Sequence, residues 1–329
     1  MINYRQLDGT MSQGVLYLPE NFDPKKKYPV IFNLYEQLSH LMYEYPYVGL
    51  TGDNINYPWF VSRGYLVVAP DIHYQNASKT NKTIGWSACN SVVAAALYLS
   101  KLPYIDSKHM ALQGHSFGAE QTNYIVAHSH LFAAASEMSG PSDAVSDYLS
   151  LLPTAGELSY ETRDNQNYAV METAQNRIGA TLWQRPDLYF DLSPVLRANK
   201  ITTPMLMVHN RKDNAVSYYQ GVELYMALRR LEKPAWMLQY DNGGHAIYGK
   251  DAKDYTIRLT QFFDHLLRGY PPPVWMTKGI PANLKGIITG YELDPKGSCS
   301  PSCPVCKKKN YKNFDPSVAV ISKMVGPGT

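Results

Sequence analysis

Apolar residues run through this chain in short, almost unbroken stretches, separated by segments in which they recur at helical spacing. Tyr28–Tyr35 (YPVIFNLY) and Gly64–Asp71 (GYLVVAPD) read as buried strands, because a stretch that is apolar on both faces suits a sheet covered on both sides. An earlier strand, Gly14–Leu18, is ended by Pro19, and residues 36–63 read as loop and short helix. Over 84–102, Cys89, Val92, Val93, Ala96, Leu97 and Leu99 return at helical spacing and predict a crossover helix closed by Pro103. His109–Gln113 is the next strand, Gly118–His128 a helix and Leu131–Met138 another strand. After an interruption, Pro204–His209, Ser217–Leu231 and Ala235–Tyr240 restore the strand, helix, strand rhythm. A last helix, from about Asp254 to Arg268, carries Leu259, Phe262, Phe263, Leu266 and Leu267 on one face and is stopped by Gly269 and the prolines at 271–273.

This alternation predicts an α/β fold with a mostly parallel central sheet and helices on both faces. Residues 141–200, rich in Asp, Ser, Tyr and Asn, break the rhythm and read as a helical insert over the C-terminal edge of the sheet, where such folds place their sites. One domain is expected over 1–272, followed by a Lys-, Gly-, Pro- and Ser-rich tail over 273–329 that is irregular, extended or partly disordered.

Composition narrows the function by exclusion. With 31 Lys and Arg against 28 Asp and Glu, the net charge of +3 makes no electrostatic case for nucleic acid. The longest apolar run, Val92–Leu99, is far short of the ~20 residues of a membrane span, so a soluble chain without membrane insertion is expected. The opening MINYRQLDGT lacks a basic region followed by an apolar core, so no signal peptide is read. A cytoplasmic chain fits, as does a secreted or periplasmic one cut from a longer precursor.

The chemistry centres on Gly114-His115-Ser116-Phe117-Gly118. Set between a predicted strand and a predicted helix, the flanking glycines allow a sharp turn that exposes Ser116 beside the free amides of the helix N-terminus. This is the nucleophile elbow of an α/β-hydrolase fold. A serine nucleophile needs a base and a carboxylate to orient that base, and in this fold both follow later strands in the order Ser, acid, His. Asp213 follows the strand ending at His209, and His245 follows the strand ending at Tyr240, at intervals of 97 and 32 residues. Asp241 and Asp251 are the substitutes for the acid; Asp71 precedes the nucleophile and sits on the wrong strand. His115 reads as a residue that packs behind the nucleophile, and His73 and His209 as structural residues, since no metal-ligand spacing accompanies them. No cofactor is required. The oxyanion would be held by the Phe117 amide and a second donor from the loop after the Tyr28–Tyr35 strand, where the Tyr35 hydroxyl is available.

These residues carry a family resemblance. KYPVIFNLYE at 27–36, GYLVVAPD at 64–71, GHSFGAE at 114–120, HNRKDNAV at 209–216 and GGHAIY at 243–248 resemble the catalytic domain of the prolyl oligopeptidase family of serine peptidases, with RIGATLWQRPDLYFDLSP at 177–194 pointing to bacterial, dipeptidyl peptidase-like members. The likeness covers roughly 10–270. It implies a triad of Ser116, Asp213 and His245, an oxyanion hydroxyl on Tyr35, and Phe117 as a wall of the pocket for the residue before the cleaved bond. Ala119 stands where family members carry a second glycine. The family's full enzymes bear an N-terminal β-propeller, whereas 27 residues precede the first core strand here. The chain is thus expected to be either part of a longer protein or a free-standing hydrolase with an open cleft.

The expected substrate is a small peptide, with carboxyl esters as the alternative because an open site favours acyl groups that need less positioning. A silent fold used for binding is the reading from another class. Glu36 and Tyr148 are further pocket candidates, and Glu36 or Glu120 could meet a peptide amine, although a surface or helix-terminal role is the simpler account of each. A homo-oligomer is compatible with the sequence. In the tail, Cys299, Cys303 and Cys306 are candidate zinc ligands if a fourth exists elsewhere, with free thiols or a disulfide the simpler state; Cys89 reads as core.

Overall fold

The structure, a computed structural model, describes residues 1–46, 48–150 and 167–298. Eight strands form one sheet: β1 (Ile2–Arg5), β2 (Met11–Tyr17), β3 (Tyr28–Leu34), β4 (Leu66–Pro70), β5 (Ile105–His115), β6 (Ala134–Met138), β7 (Met205–Val208) and β8 (Ala235–Leu238), in the order β1-β2-β4-β3-β5-β6-β7-β8. From β4 across to β8 all neighbours are parallel, while β1 and β2 add an antiparallel edge. This is the mostly parallel α/β-hydrolase sheet that the alternation predicts. The unforeseen element is β1, whose short Ile2–Arg5 pattern buries only alternate residues and so lacks an apolar run.

Because side chains alternate across a strand, the strands from β3 to β8 feed two cores. Phe32, Leu34, Val68, Leu112 and Met207 face one side, where they meet Val92, Ala95 and Leu99 of α3 (Ile84–Leu99), Ile125 of α4 (Phe117–His128) and Leu224 and Leu228 of α8 (Tyr218–Arg230). Ile31, Val67, Ala111, Leu206 and Val208 face the other, against Tyr255, Leu259, Phe262, Phe263 and Leu266 of α9 (Gly249–Arg268). The short α1 (Tyr57–Val61) adds Phe60 to the second core, α2 (Ala77–Thr80) follows β4, and the insert contributes α5 (Ala144–Tyr148), α6 (Asn167–Glu172) and α7 (Pro186–Asp191). These insert helices share a third apolar cluster with Phe117 and Tyr124 of α4, so they cover the end of the sheet where β5 hands over to α4.

α9 begins at Gly249, earlier than the apolar pattern indicates, because its first three residues, Gly249, Lys250 and Asp251, carry no apolar signal. Residues 273–298, expected to form an irregular tail, are irregular, exposed over most of 281–289, and packed on the sheet domain around 273–276 and 290. One short turn, α10 (Val274–Thr277), buries Trp275 and Met276 against the α9 face, and a 3-10 turn follows at Ala282–Leu284. The chain then folds back, with Val274 N–H donating to Glu292 O at 2.7 Å and Gln261 Nε2 to Tyr291 O at 2.7 Å. Cys299, Cys303 and Cys306 lie outside the described residues. Among the described helices none is long and apolar enough to cross a membrane.

Candidate active site

β5 ends at His115 and α4 starts at Phe117, leaving Ser116 alone to make the turn, at φ 56° and ψ −120°. A non-glycine residue is rarely held there, and the surroundings must enforce it. They do so through hydrogen bonds: Ser116 N–H donates to Met138 O at the end of β6 (2.8 Å), and Ser116 O accepts the amides of Ala119 (2.9 Å) and Glu120 (3.0 Å). The flanking glycines are needed for contact. A Cβ on Gly114 would lie 2.1 Å from Gly118 O, and one on Gly118 would lie 2.0 Å from Leu34 O. The first turn of α4 therefore rests directly on the ends of β3 and β5, and its leading amides, Phe117 among them, have no preceding carbonyl to bond.

Asp213 follows β7 and His245 follows β8, so the sheet brings both to the edge that carries the elbow. His245 Nδ1 lies 2.9 and 3.0 Å from the two oxygens of Asp213. The carboxylate is buried, 1% exposed against 22% for the imidazole, and also accepts the amides of Ala215 and Val216, each at 2.9 Å. Burial alone would raise the Asp213 carboxyl, but the hydrogen bond and charge of His245, the Val216 amide and the Ser139 hydroxyl outweigh it and hold the group below the usual carboxylate range. His115, placed by the sequence as packing, sets its ring tilted against that of His245, with centroids 4.7 Å apart, and donates from Nε2 to His245 O at 2.8 Å. Among the described residues no hydrogen bond joins Ser116 Oγ to His245. Such bonds are commonly long in a free enzyme and tighten with substrate bound.

Residues 53–269 match the prolyl oligopeptidase family. The chain belongs to the prolyl oligopeptidase family. It is 24% identical over 252 residues to the uncharacterized peptidase YuxL of Bacillus subtilis (strain 168), covering 74% of this chain and 35% of that protein. To dipeptidyl-peptidase 5 of Aspergillus fumigatus (strain Af293) it is 24% identical over 244 residues, covering 70% of this chain and 30% of that protein. The acylaminoacyl peptidase of Pyrococcus horikoshii shares the fold at a TM-score of 0.62 and 19% identity, over 81% of this chain and 41% of its own. The chain thus spans about a third of the length of these curated relatives.

Within this family frame, Tyr35 follows β3, 37% exposed, its ring edge-on to Phe117 at 6.1 Å. Phe117 is buried, also meets Tyr74 at 5.2 Å, and shares its apolar cluster with Tyr148, Met171, Ile178, Leu182 and Tyr189 of the insert. Tyr148 donates to Glu172 at 2.5 Å, and burial together with that carboxylate pushes its hydroxyl up to about 12. Glu36 is engaged by Arg177, whose Nη2 lies 3.3 Å from both carboxylate oxygens. Glu120 is buried and accepts Asn176 Nδ2 at 2.7 Å; burial, then the nearby Asp147, raises it well above the carboxylate range, and a neutral acid is a poor anchor for an amine.

The remaining candidates are structural in their contacts. His209 bonds Glu137 at 2.7 Å, both buried. Asp71 accepts the amides of Leu38 and Ser39, each at 2.8 Å, and so closes the turn that follows Tyr35. Cys89 is half-buried and its thiol is pushed up to about 12 by burial. No group of three or more His, Cys, Asp or Glu placed to hold a metal is present among the described residues. Sequence reasoning missed Gln121 and Tyr74, whose side chains bond the Tyr35 carbonyl; nothing in their spacing marks them.

Proposed function

We propose that this chain is the catalytic part of a serine peptidase that cleaves peptide bonds through an acyl-enzyme, with Ser116 as nucleophile, His245 as base and Asp213 as the orienting carboxylate. The observation that carries the reading is the Asp213–His245 pair, at 2.9 Å, on the sheet edge that holds Ser116 in its strained turn. Asp213 fixes the proton of the neutral imidazole on Nδ1, which leaves Nε2 to accept the proton of Ser116 Oγ. The oxygen attacks the peptide carbonyl carbon, and the charge that gathers on the carbonyl oxygen is met by the Phe117 amide and the Tyr35 hydroxyl. His245 returns the proton to the leaving amine as the C–N bond breaks. Water, deprotonated by His245, then attacks the acyl-enzyme, and the acid is released as Ser116 is reprotonated.

The names of the relatives, an acylaminoacyl peptidase and a dipeptidyl peptidase among them, support peptides as the substrate class. The rings of Phe117, Tyr35 and Tyr74 favour an apolar side chain before the scissile bond. The test is covalent labelling by a fluorophosphonate, followed by hydrolysis of peptide p-nitroanilides and p-nitrophenyl esters. The wild-type chain is expected to label at Ser116 and to cleave the anilides; Ser116→Ala should do neither. Turnover retained in Ser116→Ala rejects the mechanism, and turnover of esters alone moves the substrate class to esters.

A further inference from the structure

The backbone carbonyl of Tyr35 is the meeting point of two side chains from different elements. Gln121 Nε2, from the second turn of α4, donates to Tyr35 O at 2.6 Å, and Tyr74 Oη, from the loop after β4, donates to the same oxygen at 2.8 Å. A carbonyl oxygen has two lone pairs, and here both are taken. The Gln121 carboxamide also lies against the Tyr74 hydroxyl, so the three groups form one cluster.

Two features separate this arrangement from ordinary packing. Gln121 is fully buried, and its Oε1 finds no partner among the described residues. A buried carboxamide that makes one bond and leaves its acceptor unsatisfied contributes little net stability, since the orphaned group opposes the gain of the bond that is made. The other feature is connectivity. Gln121 belongs to the helix that begins at the nucleophile, and the Gly118 turn of that helix already touches Leu34 O. The bond to Tyr35 O extends that contact by one residue, from the end of β3 into the loop that bears the phenol.

We propose that Gln121, assisted by Tyr74, is a positioning residue for the oxyanion site: it ties the Tyr35 backbone to the nucleophile helix and so sets the bearing of the Tyr35 hydroxyl relative to Ser116. The proposal rests on the reading of Tyr35 as an oxyanion donor. With the carbonyl held on one side, the Tyr35 Cα–Cβ direction is fixed. The phenol then arrives at the developing charge already ordered, which is where preorganised donors gain their effect. Without the tie the loop retains the turn closed by Asp71, so the fold survives but the hydroxyl is no longer held in register.

The experiment measures kcat and KM for p-nitrophenyl acetate, with thermal unfolding, in the wild-type chain, Tyr35→Phe, Gln121→Met, Tyr74→Phe and the Tyr35→Phe/Gln121→Met double variant. Tyr35→Phe is expected to lower kcat by about 10²-fold. Gln121→Met, of similar size and lacking the donor, is expected to lower kcat by about tenfold with KM changed less than about twofold and little change in melting temperature. The double variant should be no slower than Tyr35→Phe alone, because Gln121 acts through the hydroxyl that is already gone. Tyr74→Phe, which removes only one oxygen, should give a smaller loss of kcat of the same kind and serves if Gln121→Met does not fold. Losses that multiply in the double variant, or a Gln121→Met that changes stability and leaves kcat intact, overturn the proposal while the role of Tyr35 stands. An unchanged kcat in Tyr35→Phe removes the donor itself, and the positioning role with it.

Discussion

His115 Nε2 donates to the carbonyl oxygen of His245 at 2.8 Å, so the residue immediately before the proposed nucleophile holds the loop of the proposed base. The tie crosses from the end of β5 to the loop after β8, over a separation of 130 residues. Burial, partly offset by this bond, lowers the His115 pKa, so the ring sits neutral beside His245 and does not compete with it for a proton. His115→Phe keeps a flat aromatic side chain and loses the donor. The expected result is a fall in kcat/KM of about tenfold with the chain still folded. The same group gives a sign to the pH dependence: below the ordinary histidine range the unfolded chain binds a proton that folded His115 resists, so stability should decline as pH falls through that range. Denaturant midpoints of wild type and His115→Phe between pH 7 and pH 5 check this, the variant losing less.

Asp213 sets a second expectation. Its carboxyl is held below the usual range, so its contribution to stability is complete above the ordinary carboxylate pKa and is lost only as pH falls through the depressed value. Above about pH 5 this group should therefore stay ionised and add no limb to the rate profile. Asp213→Asn would place an amide where the imidazole needs an acceptor, and the tautomer with the proton on Nδ1 would lose its support. Hydrolysis of a peptide p-nitroanilide should drop by roughly 10⁴-fold in kcat. A loss under about tenfold would transfer the role to another acid.

How far the sequence reaches depends on whether local pattern or long-range contact decides. The strands β3 and β4 were legible because both faces are buried, leaving runs such as Val30-Ile31-Phe32 with no polar interruption. The glycines of the elbow were legible because Gly118 has to approach Leu34 O. By contrast, β1 buries only Ile2 and Tyr4 and is specified by pairing with β2. The bond from Gln121 to Tyr35 spans 86 residues, and nothing in the local pattern of an α-helix announces that a buried glutamine will reach a distant carbonyl. The bond from His115 to His245 was hidden for the same reason.

Asp147, on α5 of the insert, is a buried acid whose pKa is raised to about 7 by burial first and then by Glu223 and Asp143. A raised carboxyl favours the folded state while protonated. That contribution is fully present below the ordinary carboxylate pKa and is lost as pH rises through about 7. Asp147→Asn stays neutral throughout. It should melt higher than wild type at pH 8, by on the order of 4 kcal/mol at most, and near the wild-type temperature at pH 4.5. Thermal unfolding at the two values tests this; a gain independent of pH would mean the residue is ionised in neither state or in both.

Trp275 is 4% exposed, lies in the cluster formed with Phe262, Phe263 and Leu266, and donates from Nε1 to Gln261 Oε1 at 2.8 Å. Beyond it, Tyr291 and Tyr240 both donate to Asp254, which Arg258 also holds, and Lys285 Nζ meets Asp241 at 2.6 Å. Tyr240 and Asp241 open the loop that leads to His245, so the packed tail braces that loop from outside. The exposed Lys285–Asp241 pair contributes little, and Lys285→Ala should be near neutral in stability. Trp275→Ala removes a buried indole and strands the Gln261 acceptor, at a cost of about 3–5 kcal/mol. A chain ending at 272 should lose at least as much and show reduced kcat/KM at temperatures where it remains folded. Urea midpoints for the truncated chain, Trp275→Ala and Lys285→Ala decide the matter: a truncation as stable as the full chain would place the end of the cooperative unit at α9.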